Sequence, residues 1–256
     1  MSEMNPYQPP VPAADAADDG FDAAGRTVDG GRGWAWIASA FTMFMQTPGV
    51  WILMLVIYLV CSVLLALIPL LGGIANMLLY PVFGAGFMVV CRELDRGEPV
   101  EIADMFSGFK DKTSDLMVVG VLGIAAFVAL VVPAVLIVGG AGVFAGLRGD
   151  APAIAAMGLT IVLVALVVAA VSIPVYMALW FAAPLVMFHG MKPVAALKAS
   201  FFGCLKNIIA FLLYGIVLLV LAALATIPFG LGWLVLGPVL IASIYTSYRD
   251  IYCARQ

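Results

Sequence analysis

Six stretches of this chain, about residues 50–71, 74–90, 116–138, 154–182, 208–227 and 231–248, contain no acidic or basic side chain. Nothing else constrains the fold as strongly. About 20 apolar residues make the length of helix that crosses about 30 Å of hydrocarbon, where every backbone polar group must be satisfied internally. Composition agrees: apolar residues are 64% of the 256 and charged residues 11%, against about half and about a quarter in soluble domains. Mean hydropathy is +1.14. In water such a chain would leave large apolar patches exposed, so the bilayer is its expected solvent.

The first 33 residues are of a different material. Pro6, Pro9, Pro10 and Pro12 precede Asp15, Asp18, Asp19, Asp22 and Asp29 among alanines and glycines. So polar a stretch buries too little apolar surface to offset chain entropy. Residues 1–33 are therefore expected to form a disordered acidic tail, and 34–256 the membrane domain. The tail has neither the basic start nor the apolar core of a signal peptide.

Trp34, Ile37, Phe41 and Phe44 fall on one face at helical spacing, and their segment is too short to span. It reads as an interfacial helix ended by Pro48-Gly49. The first two spans follow as a hairpin turning at Gly72-Gly73. Next come a polar stretch and a second amphipathic set, Ile102, Met105, Phe106 and Phe109. Span three contains Pro133. The apolar run of span four continues to Phe188, longer than one crossing needs, with kinks expected at Pro174 and Pro184. Val194, Leu197, Phe201 and Leu205 mark a third interfacial helix with Lys198 and Lys206 off their face, before spans five and six.

Two of these units repeat. Pro81-Val82 and Pro238-Val239 each open an apolar helix that ends on an Arg-acid-aliphatic triplet, Arg92-Glu93-Leu94 and Arg249-Asp250-Ile251. The fold class expected is an all-α integral membrane protein of six helices, built as three parallel repeats of interfacial helix plus hairpin. Of the twelve basic residues, eleven fall on one side of the predicted spans and Arg148 alone on the other. Basic segments resist translocation, which places both termini in the cytoplasm.

The chemistry the sequence offers is sparse. No ionisable group sits well inside a predicted span, where one would mark a transport path. Cys61, Cys91, Cys204 and Cys253 lack metal or redox spacing, and a single His189 leaves too few ligands for a metal. His189 as a catalytic base would have only Ser200 and Cys204 as nearby nucleophile candidates, with no motif around them. We therefore expect no catalytic residue, cofactor, metal or nucleic-acid partner. Gly84, Gly86, Gly120 and Gly123 allow close helix packing, either within one bundle or, through Gly120 or Gly84, in a homo-oligomer. Arg92, Arg96, Arg249, Lys198 and Lys206 are the candidate residues for holding lipid headgroups or a partner, with plain helix-end anchoring as the other reading of the arginines.

Several motifs together carry a resemblance: Trp34-x-Trp36, Pro81 through Cys91-Arg92-Glu93-Leu94-Asp95-Arg96-Gly97-Glu98, Phe106-Ser107-Gly108-Phe109, Trp180-Phe181-Ala182-Ala183-Pro184, Ala199-Ser200-Phe201 and Ser247-Tyr248-Arg249-Asp250-Ile251. From Trp34 to Ile251 the chain resembles the BPSS-type uncharacterised membrane proteins of proteobacteria. More distantly it is similar to YciC-type inner-membrane proteins and to the membrane domain attached to some glycerophosphodiester phosphodiesterases. The resemblance implies a six-span inner-membrane protein and, through the YciC-type proteins, a part in envelope integrity. The soluble catalytic domain of the phosphodiesterases has no counterpart here, so their activity is not implied. The expected function is non-catalytic envelope maintenance through organising lipids or partner membrane proteins. The alternative is a transporter or lipid-translocating protein, suggested by the proline-broken fourth span.

Overall fold

A computed structural model describes residues 20–69, 71–148 and 151–253. The proline cluster, Asp15, Asp18, Asp19, Asp150 and Arg255 lie outside the described residues. Those described form nine α-helices and one 3₁₀ segment, with no β-strand among them. The helices are α1 (Arg32–Gln46), α2 (Pro48–Ala66), α3 (Leu71–Arg96), α4 (Thr113–Arg148), α5 (Ala151–Trp180), α6 (Ala182–His189), α7 (Pro193–Lys206), α8 (Ile208–Thr226) and α9 (Trp233–Tyr252); the 3₁₀ segment is Ile102–Phe109.

Local sequence accounts for many of the ends. Pro48 and Pro193 start α2 and α7, where a missing N–H costs nothing. Gly190 ends α6 in the left-handed region, φ 58°. The second amphipathic set winds as 3₁₀ rather than α. Its first turn is closed by a capping box in which Glu101 N–H donates to Asp104 Oδ2 at 2.6 Å. Two glycines then let it press on α3. A Cβ on Gly86 would stand 1.9 Å from the Met105 carbonyl oxygen, and one on Gly108 would stand 2.0 Å from that of Val82. Gly120 approaches Leu78 of α3 in the same way and Gly84 faces Ala183, so both are taken up in packing within the chain.

Five helices have the length and apolarity to cross a membrane: α2, α3, α4 over Thr113–Val143, the run Met157–His189, and α8. The sixth predicted crossing, α9, is less apolar because its inner face carries hydroxyls and its last turn Arg249 and Asp250. Ser243, Tyr245, Ser247 and Tyr248 there are buried against the other helices. α4 has 36 residues, about 54 Å at 1.5 Å per residue, well beyond about 30 Å of hydrocarbon.

The core is concentrated at one end. Trp36, Trp51, Val82, Val90, Met105, Leu116, Phe181, Leu185, Tyr248 and Tyr252 are all buried there around the ends of α3, α6, α7 and α9. Towards the other end Leu64, Leu67, Val135, Leu136, Leu166, Leu219 and Leu231 are exposed, as apolar surface in contact with lipid would be.

The fourth span breaks at Phe181, between α5 and α6, next to its expected end at residue 182; Pro174 lies inside α5 and Pro184 in the first turn of α6, where it has no N–H to offer the Trp180 carbonyl. A side chain from α7 completes the break. Ser200 Oγ accepts the Phe181 N–H at 2.9 Å and donates to the Met177 carbonyl at 2.6 Å, which stands in for the one helical bond that the two residues would otherwise share. One expectation is corrected, that of the tail. Its last third, from Gly20 to Gly31, is a strap laid across the closed end. Asp22 and Arg26 N–H groups donate to the Tyr252 and Ile251 carbonyls, each at 2.8 Å, filling acceptors that α9 leaves open at its C-terminus. Asn207 exchanges bonds with Val28 N–H and the Arg26 carbonyl. Composition predicts disorder because apolar side chains are few there; here backbone hydrogen bonds hold the strap together with Phe21 and Val28, which pack against the core.

Ser200→Ala would strand the buried Phe181 N–H and leave the Met177 carbonyl only the weaker Cys204 thiol, at a cost of about 1–3 kcal/mol. Thermal unfolding in detergent should show a melting temperature several degrees below that of the parent. No shift would mean that the hydroxyl does not hold the break.

Candidate functional site

The closed end gathers the polar side chains that the spans exclude. α9 packs along α1 and against α3, and this brings its last two turns between two sets of partners. On the α1 side Asp250, only 7% exposed, accepts from Arg32 Nε at 2.6 Å and Trp36 Nε1 at 2.9 Å. On the α3 side Arg249 pairs with Asp95, whose Oδ2 also accepts from the Tyr245 hydroxyl at 3.2 Å. Arg92, one turn before Asp95, lies over the Phe188 ring at 4.5 Å, a cation–π contact.

Around these charges runs an aromatic lining. His189 Nε2 and the Tyr248 hydroxyl are 2.5 Å apart, and Phe21 of the strap stacks on the imidazole with ring centroids 3.4 Å apart. Phe188 touches Tyr245 and Tyr248 edge-on or tilted.

The five residues proposed from sequence therefore divide. Arg92, Arg96 and Arg249 converge at the ends of α3 and α9, with Arg96 exposed. Lys198 is exposed on α7 beside an open apolar trough of about 510 Å³ walled by Ala178, Val194, Leu197, Phe201 and Phe202. Lys206 is engaged with the strap, its Nζ donating to the Ala24 and Gly25 carbonyls at 2.8 and 3.2 Å. The nucleophile candidates are engaged elsewhere than His189. Ser200 bridges the helix break, and Cys204 points its thiol at the Met177 carbonyl at 3.6 Å. Burial pushes that thiol up to about 12, against a weaker opposing pull from the Ser200 hydroxyl, so it stays protonated at neutral pH. Among the described residues no three His, Cys, Asp or Glu side chains come together as metal ligands would.

Asp250, Trp36, Arg32 and Asn207 are the site residues that sequence reasoning missed. The signal was in the sixth stretch, where Ser243, Tyr245, Thr246, Ser247 and Tyr248 interrupt the apolar pattern just before Arg249-Asp250. Such density of hydroxyls marks a helix facing protein rather than lipid.

The fold and its apolar spans define an all-helical integral membrane protein. A probable inner membrane protein of Burkholderia thailandensis is similar to it, 29% identical over 250 residues that cover 88% of this chain and 92% of that protein. No protein-family model matches the chain, and no solved structure does.

The two ion pairs should differ in weight. Asp250→Asn weakens a buried acceptor of two donors and is expected to cost about 1–3 kcal/mol. Asp95→Asn, in a pair whose side chains are 33% and 27% exposed, should cost under about 1 kcal/mol. Parallel melting curves of the two variants decide it; equal shifts would contradict the difference in burial.

Proposed function

We propose that this chain is a non-catalytic protein of the bacterial inner membrane that organises lipids or partner proteins in maintaining the envelope. It crosses the bilayer six times with both termini in the cytoplasm, as three like-oriented units: α1 with the α2/α3 hairpin, the 3₁₀ segment with α4/α5, and α7 with α8/α9. The observation that carries the reading is the gathering of Arg92 and Arg249 where the ends of α3 and α9 meet, against Phe188 and Asp95, with Arg96 exposed one turn beyond; α7 adds a separate basic and apolar surface. That helix carries Lys198 and leaves Val194, Phe202 and Leu205 exposed. A collar of cations and apolar side chains at headgroup depth suits an anionic membrane surface, where each Lys or Arg adds about 1 kcal/mol of attraction. The naming of the Burkholderia relative as a probable inner membrane protein supports the location, and the envelope role is what a resemblance to YciC-type proteins implies. The polar inner face of α9, which lowers its apolarity, supports counting it as a sixth crossing shielded by its neighbours.

The test is lipid analysis. Protein carrying Arg92→Ala and Arg249→Ala together, extracted in mild detergent, should retain severalfold less anionic phospholipid, or lose a copurifying protein that the parent retains. Unchanged lipid content with an unchanged set of partners would defeat the proposal. Orientation has its own check. A cysteine placed by Lys110→Cys should resist an impermeant maleimide added outside spheroplasts and react once the membrane is opened; reaction from outside would reverse the topology.

A further inference from the structure

Close backbone contact and one pair of acids hold the 3₁₀ segment on α3. Met105 and Gly108 seat against Gly86 and Val82, where no added side chain would fit. Glu93 stands in the last turn of α3, beyond the apolar stretch 74–90, and its carboxyl lies within hydrogen-bonding reach of Asp104 in the segment. Asp104 is itself fixed, since its Oδ2 accepts the Glu101 N–H at 2.6 Å and its own N–H donates to the Glu101 carboxylate. It cannot turn aside without opening the capping box.

Two carboxylates are acceptors only, so a bond between these side chains requires a proton on one of them. Glu93 Oε2 is buried and no hydrogen-bond donor reaches it. Ionised, it would be a desolvated charge without a partner; protonated, Glu93 escapes that cost and can donate to Asp104. The surroundings act in the same direction. Burial, then the Asp104 charge, pushes the Glu93 carboxyl up to about 7, with a smaller push from Glu98 and against a pull from Arg92, whose guanidinium lies over the Phe188 ring. Of the other elements packed on α3, α1 and α6 have Arg32 and His189 bonded to Asp250 and Tyr248, and α9 has Arg249 paired with Asp95. α2 carries no charge, and α4 brings Asp115 in its first turn. A carboxyl held above its ordinary range stabilises the docked arrangement while it is protonated, and that contribution is lost as the pH rises through about 7.

We propose that Glu93 and Asp104 form a proton-operated latch: one shared proton seats the 3₁₀ segment on α3, and its loss sets two negative charges against each other and lifts the segment. Lifting parts the Phe106 and Phe109 rings from Phe83 of α3, now 6.0 and 5.0 Å from it. It also bares the buried Met105 beside the exposed Ile102 and Phe109, an apolar edge next to the end of a span. The segment thereby answers to the pH on the side of the termini. The latch does not depend on what the arginines or α7 bind.

The experiment follows backbone amide hydrogen exchange of the full chain in lipid nanodiscs at about pH 6 and about pH 8.5, corrected for the intrinsic effect of pH on exchange. Amides of residues 102–109 should exchange severalfold faster at the higher pH, while those of 211–222 in α8 stay unchanged. Glu93→Gln keeps the shape, has no charge to gain and can donate to Asp104 through its amide, so 102–109 should stay protected at both pH values. Infrared difference spectra between the same two conditions should show a protonated-carboxyl band that the parent loses at the higher pH and that Glu93→Gln lacks. Exchange of 102–109 that is the same at both pH values in the parent would overturn the latch. So would a Glu93→Gln variant that keeps the parent's pH dependence or its carboxyl band.

Discussion

A backbone in hydrocarbon has no water to complete its hydrogen bonds, and at two of the places where this chain interrupts or ends a helix another part of the chain supplies the missing partner. The Phe181 break is the clearest. One hydroxyl, Ser200, takes the N–H and gives to the carbonyl that the break separates, and the apolar run can then turn at the membrane boundary into α6 and α7. The end of α9 follows the same logic, since the strap contributes N–H groups to carbonyls that the last turn cannot satisfy alone.

With those groups satisfied, packing is free to concentrate. Gly86 and Gly108 bring the 3₁₀ segment onto the α3 backbone from both sides, and large buried side chains, Trp36, Trp51, Phe181 and Tyr252, fill the same end. The remainder of α4, α5 and α8 shows mostly lipid-facing side chains. Dense packing at one end holds Arg92 over Phe188 and Arg249 on Asp95, while the apolar faces along the spans stay open.

Most of the helices were legible in the sequence because hydrophobic length is a direct consequence of bilayer thickness. The side chain that completes the fourth span's break was not. Pro184 marks the neighbourhood by composition, since it gives no N–H to the Trp180 carbonyl, but Ser200, which bonds both sides of the break, lies some twenty positions away. The strap was missed for a related reason: its partners are the carbonyls of Ile251 and Tyr252, which no side-chain pattern announces. Among the site residues the arginines stood out by charge at the ends of apolar runs. Asp250 did not, because its burial against Trp36 and Arg32 is made by the packing of α1 on α9, and a single acidic residue beside Arg249 reads as a surface pair.

The bond between Arg32 and Asp250 joins residues 218 positions apart, and the strap reaches equally far to α9. During biosynthesis the N-terminal helix and the segment before it have no partner to dock on until the last helix has been made. Completion of the chain is thereby built into its final closure. A product that stops short of residue 249 would lack Asp250 and the strap's acceptors together, leaving both ends of the polypeptide unfastened and open to quality-control proteases.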